Sequence, residues 1–296
     1  MKKTKLVTAF YTDVHGHPFY GHQEQSRHER YLHSMRVLDG MNIEISCYCN
    51  ESQFEFLTNY IELFNLKNIT LKISNLMDLP FLEKMVKIKE LTNNFKFYHE
   101  IDWNKIFLLE KEYDELYEYI YWIDVGLSHH GIFPNKYNPN YELSTGMSND
   151  FNTYSFTKLF TPKLFEGINN FVEDRLISIE NKTHFHNSYQ LGVIFGEFYN
   201  YPGLTVGGVL GGHISKLKWF IETFNTLGLE SLNKEVILNH EAIISFIKES
   251  SPEHFKNFIF ETWYHEDTLG IPEHIIKNEI HFSDFFDLIY NQHIQN

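Results

Sequence analysis

Short apolar runs alternate along this chain with segments whose apolar positions recur every three or four residues, and that succession predicts strands alternating with helices. Leu6 to Tyr11 reads as a first buried strand, ending in the glycine- and proline-punctuated loop Thr12-Asp-Val-His-Gly-His-Pro-Phe-Tyr-Gly21. Tyr31, Leu32, Met35 and Leu38 share a face of a helix expected over 23–38. A strand follows over 43–49, a helix over 52–65, a strand from Ile69 to Ile73, and helices over 80–91 and 101–113. Tyr119-Ile-Tyr-Trp-Ile123 is apolar throughout, as in a strand buried on both faces. Further on, the pattern predicts a helix from Thr161-Pro162 to about Ile179 and strands over Ser188 to Glu197 and Gly203 to Leu210. Helices then open after Gly212, running to about Leu227, and over 234–249, with short helices in 271–292. Such alternation argues for a mostly parallel sheet with helices on both faces.

Bulk properties narrow the classes of protein. With 296 residues the chain can bury a large core. Its 27 Phe and 18 Tyr exclude a disordered chain. A formal charge of −14 and the lack of a basic run argue against a nucleic-acid partner. Cys47 and Cys49 lie two apart in one expected strand, a spacing unsuited to a disulfide between them; buried packing in a reducing compartment is the reading. Leu6 to Phe10 is too short for a signal segment, and no apolar stretch reaches the roughly 20 residues that span a bilayer. These features predict a cytoplasmic protein without membrane insertion.

Four constellations carry candidate chemistry. Asp124 follows the 119–123 strand, with Gly126, His129 and His130 after it, at the strand end where open α/β sheets bind ligands. The acid and the imidazoles suit Mn²⁺ or Mg²⁺, although Asp124 equally suits a structural cap. Gly207-Gly-Val-Leu-Gly-Gly212 lets backbone approach a ligand ahead of a helix start, or forms a bulged strand and turn. Asn239-His240-Glu241 opens an amphipathic helix, where the glutamate is either a reactive carboxylate or a first-turn acid favoured by the helix dipole. Trp263-Tyr-His265-Glu-Asp267 offers a metal or phosphate ligand, or is a surface turn.

Taken in order, these pieces resemble a GT-A-type nucleotide-sugar glycosyltransferase, and in detail the HtrL/YibB-type family of bacterial glycosyltransferase-like proteins. The resemblance rests on Leu6-Val-Thr-Ala-Phe-Tyr11, Trp103-Asn-Lys105, Tyr121-Trp-Ile-Asp124-Val-Gly126-Leu, the glycine quartet, and the Glu241 helix leading to Ser251-Pro-Glu-His-Phe255. The glycines followed by His240-Glu241 are also similar to the blood-group ABO-type retaining transferases. The resemblance implies a GT-A-like (Rossmann-like), mostly parallel sheet flanked by helices, with helical C-terminal additions. It implies a single domain: a nucleotide-binding half over 1–130, a loop or helical insert over 131–185, and a sugar and acceptor half over 186–296. Asp124 would be the surviving acid of an Asp-x-Asp metal motif whose second acid is here Gly126. Completion of a Mn²⁺ or Mg²⁺ site then falls to His129, His130 or, first in order, His265. Phe10 and Tyr11 would stack on the uridine base. Lys105 would face the donor or its phosphates, with Trp122 and His240 as further substrate contacts. Gly207, Gly208, Gly211 and Gly212 would shape the sugar pocket. Glu241 would attack the anomeric carbon or hold a hydroxyl, which leaves retention and inversion both open.

The implied function is transfer of a sugar from a nucleotide diphosphate sugar, a UDP-sugar first, to a glycan such as a surface polysaccharide. Two other classes remain on the sequence alone. One is a nucleotide-sugar or glycan-binding protein that keeps the fold without catalysis, supported by the missing second acid. The other is a metal-dependent hydrolase built from the histidines.

Overall fold

The computed structural model describes residues 3–11, 13–14, 17–18, 31–32, 35–36, 38–78, 80–92, 99–125, 162–181, 204–205 and 207–260. The first half follows the expected succession. Strands β1 (Thr4–Phe10), β2 (Glu44–Cys49), β3 (Ile69–Ile73) and β4 (Tyr119–Ile123) lie on the four apolar runs. Helices α1 (Glu51–Leu63), α2 (Leu82–Thr92) and α3 (His99–Lys111) connect them. Of the helix expected over 23–38, the described positions 31–32, 35–36 and 38 are helical. Asp13–Val14 and His17–Pro18 pair as a small antiparallel hairpin after β1.

The second half contains α4 (Pro162–Val172), β5 (Leu176–Asn181), β6 (Leu204–Thr205), β7 (Val209–His213), α5 (Ile214–Asn233), α6 (His240–Ser250) and β8 (Phe255–Phe260). Three elements differ from the expected succession. The helix expected to reach Ile179 stops at Val172, because Glu173 takes a left-handed φ of 58° and Leu176-Ile-Ser-Ile179 then extends into the sheet. The strand expected over Gly203 to Leu210 is broken by a turn at Gly207-Gly208, and β7 restarts beyond it, carrying Gly211 and Gly212 inside the strand. Strand β8 falls where the pattern predicts no strand. The expected elements over 188–197 and 271–292, and residues 126–161 of the first half and insert, lie outside the described residues.

One sheet runs in the order β8-β5-β7-β4-β1-β2-β3, with β6 added on β5. β1 is parallel to both β2 and β4, β2 to β3, and β5 to β8. β7 runs antiparallel to both β4 and β5. From β1 the chain builds outward on one side through β2 and β3, then returns to the other side as β4. The carboxyl ends of β1 and β4 therefore border a topological switch point, where connections diverge and leave a crevice.

Strand alternation divides the core between the two faces of the sheet. Leu6, Phe10, Tyr119, Tyr121 and Ile123 pack with α1 and α4, alongside Cys47 and Cys49, which are buried free thiols. Val7, Ala9, Tyr11, Ile120 and Trp122 pack with α2, α3, α5 and α6. Within this second layer Trp103 of α3 is 2% exposed, donates its indole N–H to the Leu238 carbonyl at 3.0 Å, and meets Phe81 and Phe224 edge-on. Gly228 of α5 faces that ring, and a Cβ there would stand 2.6 Å from Trp103 Cζ3. Alanine is favoured over glycine inside a helix by about 1 kcal/mol, but overpacking a fixed ring costs about 1–3 kcal/mol. Gly228→Ala is expected to lower stability by about 1 kcal/mol in urea titration, and a gain would show the ring free to move. No helix among the described residues is long and apolar enough to cross a membrane.

Candidate active site

Asp124 lies just past the end of β4, two residues beyond Trp122 and therefore on the same side of the sheet. Trp122 is 2% exposed and donates its indole N–H to Asp124 Oδ1 at 2.6 Å. The Asp124 backbone N–H donates to the Gly208 carbonyl at 2.9 Å, which ties the strand end to the turn before β7. Helix α3 crosses this face and places Asp102 and Lys105 one turn apart. Lys105 Nζ stands 3.1 Å from Asp124 Oδ1 and 3.3 Å from Oδ2. The same ammonium lies 3.7 Å from Asp102 Oδ1 and donates to the Gly207 carbonyl at 3.4 Å.

The third contribution comes from α6. Asn239 caps this helix, its side-chain oxygen accepting the Glu241 N–H at 2.8 Å. Glu241 Oε1 accepts the Gly207 N–H at 2.8 Å. His240 is buried and covers the open side of Gly207: a Cβ at position 207 would fall 1.9 Å from its Nε2. Its Nδ1 is 3.5 Å from Asp102 Oδ2. Asp102, Lys105, Asp124, Gly207, His240 and Glu241 thus form one connected cluster drawn from four separate stretches of chain.

Three carboxylates surround one ammonium, so these charged groups leave the cluster anionic. Burial on its own would lower the pKa of Lys105; the Asp124 and Asp102 carboxylates outweigh it and hold the ammonium's pKa above its usual value. Asp124 keeps 35% of its side chain exposed and Asp102 31%. In kind, the donors fit a hard divalent cation: carboxylate oxygens, with the His240 ring nitrogens buried and lacking a hydrogen-bond partner among the described residues. Among those residues no three acid, histidine or cysteine side chains are gathered closely enough to hold an ion without other oxygens.

The remaining candidates divide. Gly208 is at the cluster through its carbonyl. Gly211 and Gly212 are not: they sit inside β7 opposite Tyr121 and Ile120, with φ of 109° and 143°. A Cβ on Gly211 would meet the Ile120 carbonyl at 2.3 Å, and one on Gly212 the Arg175 carbonyl at 2.5 Å. Their lack of side chains lets β7 fit between β4 and β5, so the expected pocket role is replaced by a sheet-packing one. Phe10 and Tyr11, expected to stack on a base, are 1% and 4% exposed on opposite faces of the sheet. The Tyr11 hydroxyl donates to the Ser74 carbonyl at 2.8 Å and accepts from Asn104 Nδ2 at 3.0 Å. Both rings are core. Trp122 reaches the site by holding Asp124. His129, His130 and His265 lie outside the described residues. Asp102 was missed in the sequence, although its spacing of three from Lys105 on a helix was a usable signal.

No family model matches the chain, and no curated protein is similar to it in sequence. The likeness to the HtrL/YibB-type proteins therefore rests on the quoted motifs alone. The fold and cluster define an α/β protein with a mostly parallel sheet and a charged site at the carboxyl edge of its central strands. Among solved structures it is similar to apo mouse xyloside xylosyltransferase 1, with a TM-score of 0.45 and 10% identity over 97% of this chain and 93% of that one. It is also similar to 4-diphosphocytidyl-2C-methyl-D-erythritol synthase from Anaerococcus prevotii DSM 20548, with a TM-score of 0.39 and 8% identity over 97% and 96% of the two chains.

Proposed function

We propose that this chain is a glycosyltransferase that moves a sugar from a nucleotide diphosphate sugar, with a UDP-sugar as first choice, to a hydroxyl of a glycan. The observation that carries the reading is convergence. Asp124, Lys105, Gly207 and Glu241, far apart in the chain, meet through direct contacts at the carboxyl ends of the central strands. That edge, beside the switch point, is where such sheets bind nucleotides.

Each group has a task in this reaction. Breaking a sugar–phosphate bond leaves negative charge on the departing diphosphate; a divalent cation, when bound, supplies the balancing charge. Asp124 is the carboxylate that would hold such an ion, with the Trp122 indole N–H fixing its orientation. Glu241 supports the electron-poor sugar carbon, as carboxylates do in glycosidases. If it bonds to that carbon the product keeps its configuration; if another base activates the acceptor the configuration inverts. A binding protein without catalysis is the second reading, favoured by one contact: Glu241 Oε1 already serves the Gly207 N–H.

Glu241→Gln keeps an oxygen for that N–H and so preserves the local fold. Transfer or hydrolysis of UDP-sugars is expected to fall by at least about 100-fold, while the melting temperature stays within a degree or two of wild type. A wild-type protein that releases no sugar from any nucleotide diphosphate sugar would leave the binding reading. Absence of thermal stabilisation by any nucleotide diphosphate, with or without Mn²⁺, would end both.

A further inference from the structure

We propose that Lys105 occupies the cation position on Asp124, so that a divalent metal reaches this carboxylate only by displacing the lysine. The affinity of the site for metal is then set by a side chain of the protein. This rests on the reading of the cluster as the donor site, from which it takes only that a cation acts there.

The geometry is specific to Asp124. The ammonium stands at 3.1 and 3.3 Å from its two oxygens and so contacts both of them. The indole N–H of Trp122 takes up a further lone pair of Oδ1 at 2.6 Å. Lys105 has little freedom to leave, because its side chain is 8% exposed and, among the described residues, it is also held by Asp102 and the Gly207 carbonyl. A divalent ion on Asp124 would share that enclosed space with the ammonium, and like charges so close repel without the screening of bulk water.

A second observation concerns the ring of His240. Both ring nitrogens of His240 are buried without a hydrogen-bond partner among the described residues, and Nδ1 lies beside Asp102. A buried nitrogen left unserved carries a penalty that a ligand removes. The surrounding groups favour a cation: among the described residues Asp102, Asp124 and Glu241 outnumber the one ammonium of Lys105, and oxygen with imidazole is a donor set that Mn²⁺ accepts. Lys105 holds that tendency in check. It keeps the ligand-free site closed to metal and leaves it to the oxygens of an arriving diphosphate to shift the balance.

The test uses Mn²⁺ alone, without nucleotide, and reads free Mn²⁺ by electron paramagnetic resonance. Lys105→Met removes the charge, and Lys105→Gln removes it while keeping a hydrogen-bond donor for Asp124, which guards against loss of fold. Folded variants are checked by circular dichroism. At least one folded variant is expected to bind Mn²⁺ at least ten-fold more tightly than wild type, and adding Asp124→Asn should abolish the gain. Binding no tighter than wild type in every folded variant, or no binding in any of the three proteins, overturns the proposal. So does a gain that survives Asp124→Asn. Because no nucleotide is present, failure here leaves the transferase reading standing, while failure of UDP to bind wild type would remove that reading without touching the Mn²⁺ result.

Discussion

Glu112→Gln is expected to destabilise the protein by about 3 kcal/mol at neutral pH, the largest single-residue loss of stability predicted here. Glu112 follows α3, at the end of that helix remote from the site, and its side chain is 3% exposed. It receives Lys5 Nζ at 2.7 Å, Lys72 Nζ at 2.5 Å and the hydroxyl of Tyr48. Burial would raise the pKa of this carboxyl; the hydrogen bonds from Lys5, Lys72 and Tyr48 win and bring it down to about 2. Glutamine keeps the shape but not the charge, and Lys5, 8% exposed, is left with the more distant Glu44 at 3.4 Å. A pKa lowered in the folded state means that stability is fully present above the ordinary value of 4.5 and is lost as the pH falls toward about 2. The loss over that interval is on the order of 3 kcal/mol, since each unit is worth about 1.4 kcal/mol. The variant lacks this term, so urea titrations at pH 7, 4.5 and 3 should show the gap between the two proteins narrowing at the acid end. A gap that is small at pH 7, or constant with pH, would show that Glu112 is not held as an ionised partner of Lys5 and Lys72.

Gly207→Ala should have the largest effect on the site. The new Cβ would lie 1.9 Å from Nε2 of His240, far inside contact distance. The ring cannot simply step aside, because it is 5% exposed and Asp102 stands beside its other nitrogen. Either the ring or the backbone at 207 must move. That backbone carries the carbonyl that receives Lys105 and the N–H that holds Glu241, so both charged groups move with it. Overpacking of this kind costs about 1–3 kcal/mol of stability, and displacing reacting groups by an ångström costs about 100-fold in rate. Adding His240→Ala should recover much of the stability by making room for the methyl group, without recovering activity. If the single variant melts like wild type and turns over normally, the packing of His240 on Gly207 plays no part in the site. If the two substitutions are additive in stability, the residues are not coupled.

Local patterning determined much of this protein. β1 to β4, α1 to α3 and α5 to α6 are legible because burial on one or both faces leaves a periodic trace in consecutive residues, whatever the neighbouring element is. The position of Asp124 at a strand end, and Glu241 at a capped helix start beside His240, followed from the same reasoning. Patterning cannot say which strand lies beside which. The slot that β7 fills between β4 and β5, the demand it places on Gly211 and Gly212, and the entry of β5 and β8 into the sheet all depend on pairings across long stretches of chain. Phe10, Tyr11 and Trp122 show the same boundary. As residue types they suit a ligand surface, yet the packing of helices over both faces of the sheet made the first two core and turned the third into a support for Asp124. Only the tertiary structure set Asp102 and Lys105 of α3 against Asp124 and Gly207. A carboxylate's partners are fixed by distances of a few ångströms between elements that sequence spacing leaves unspecified.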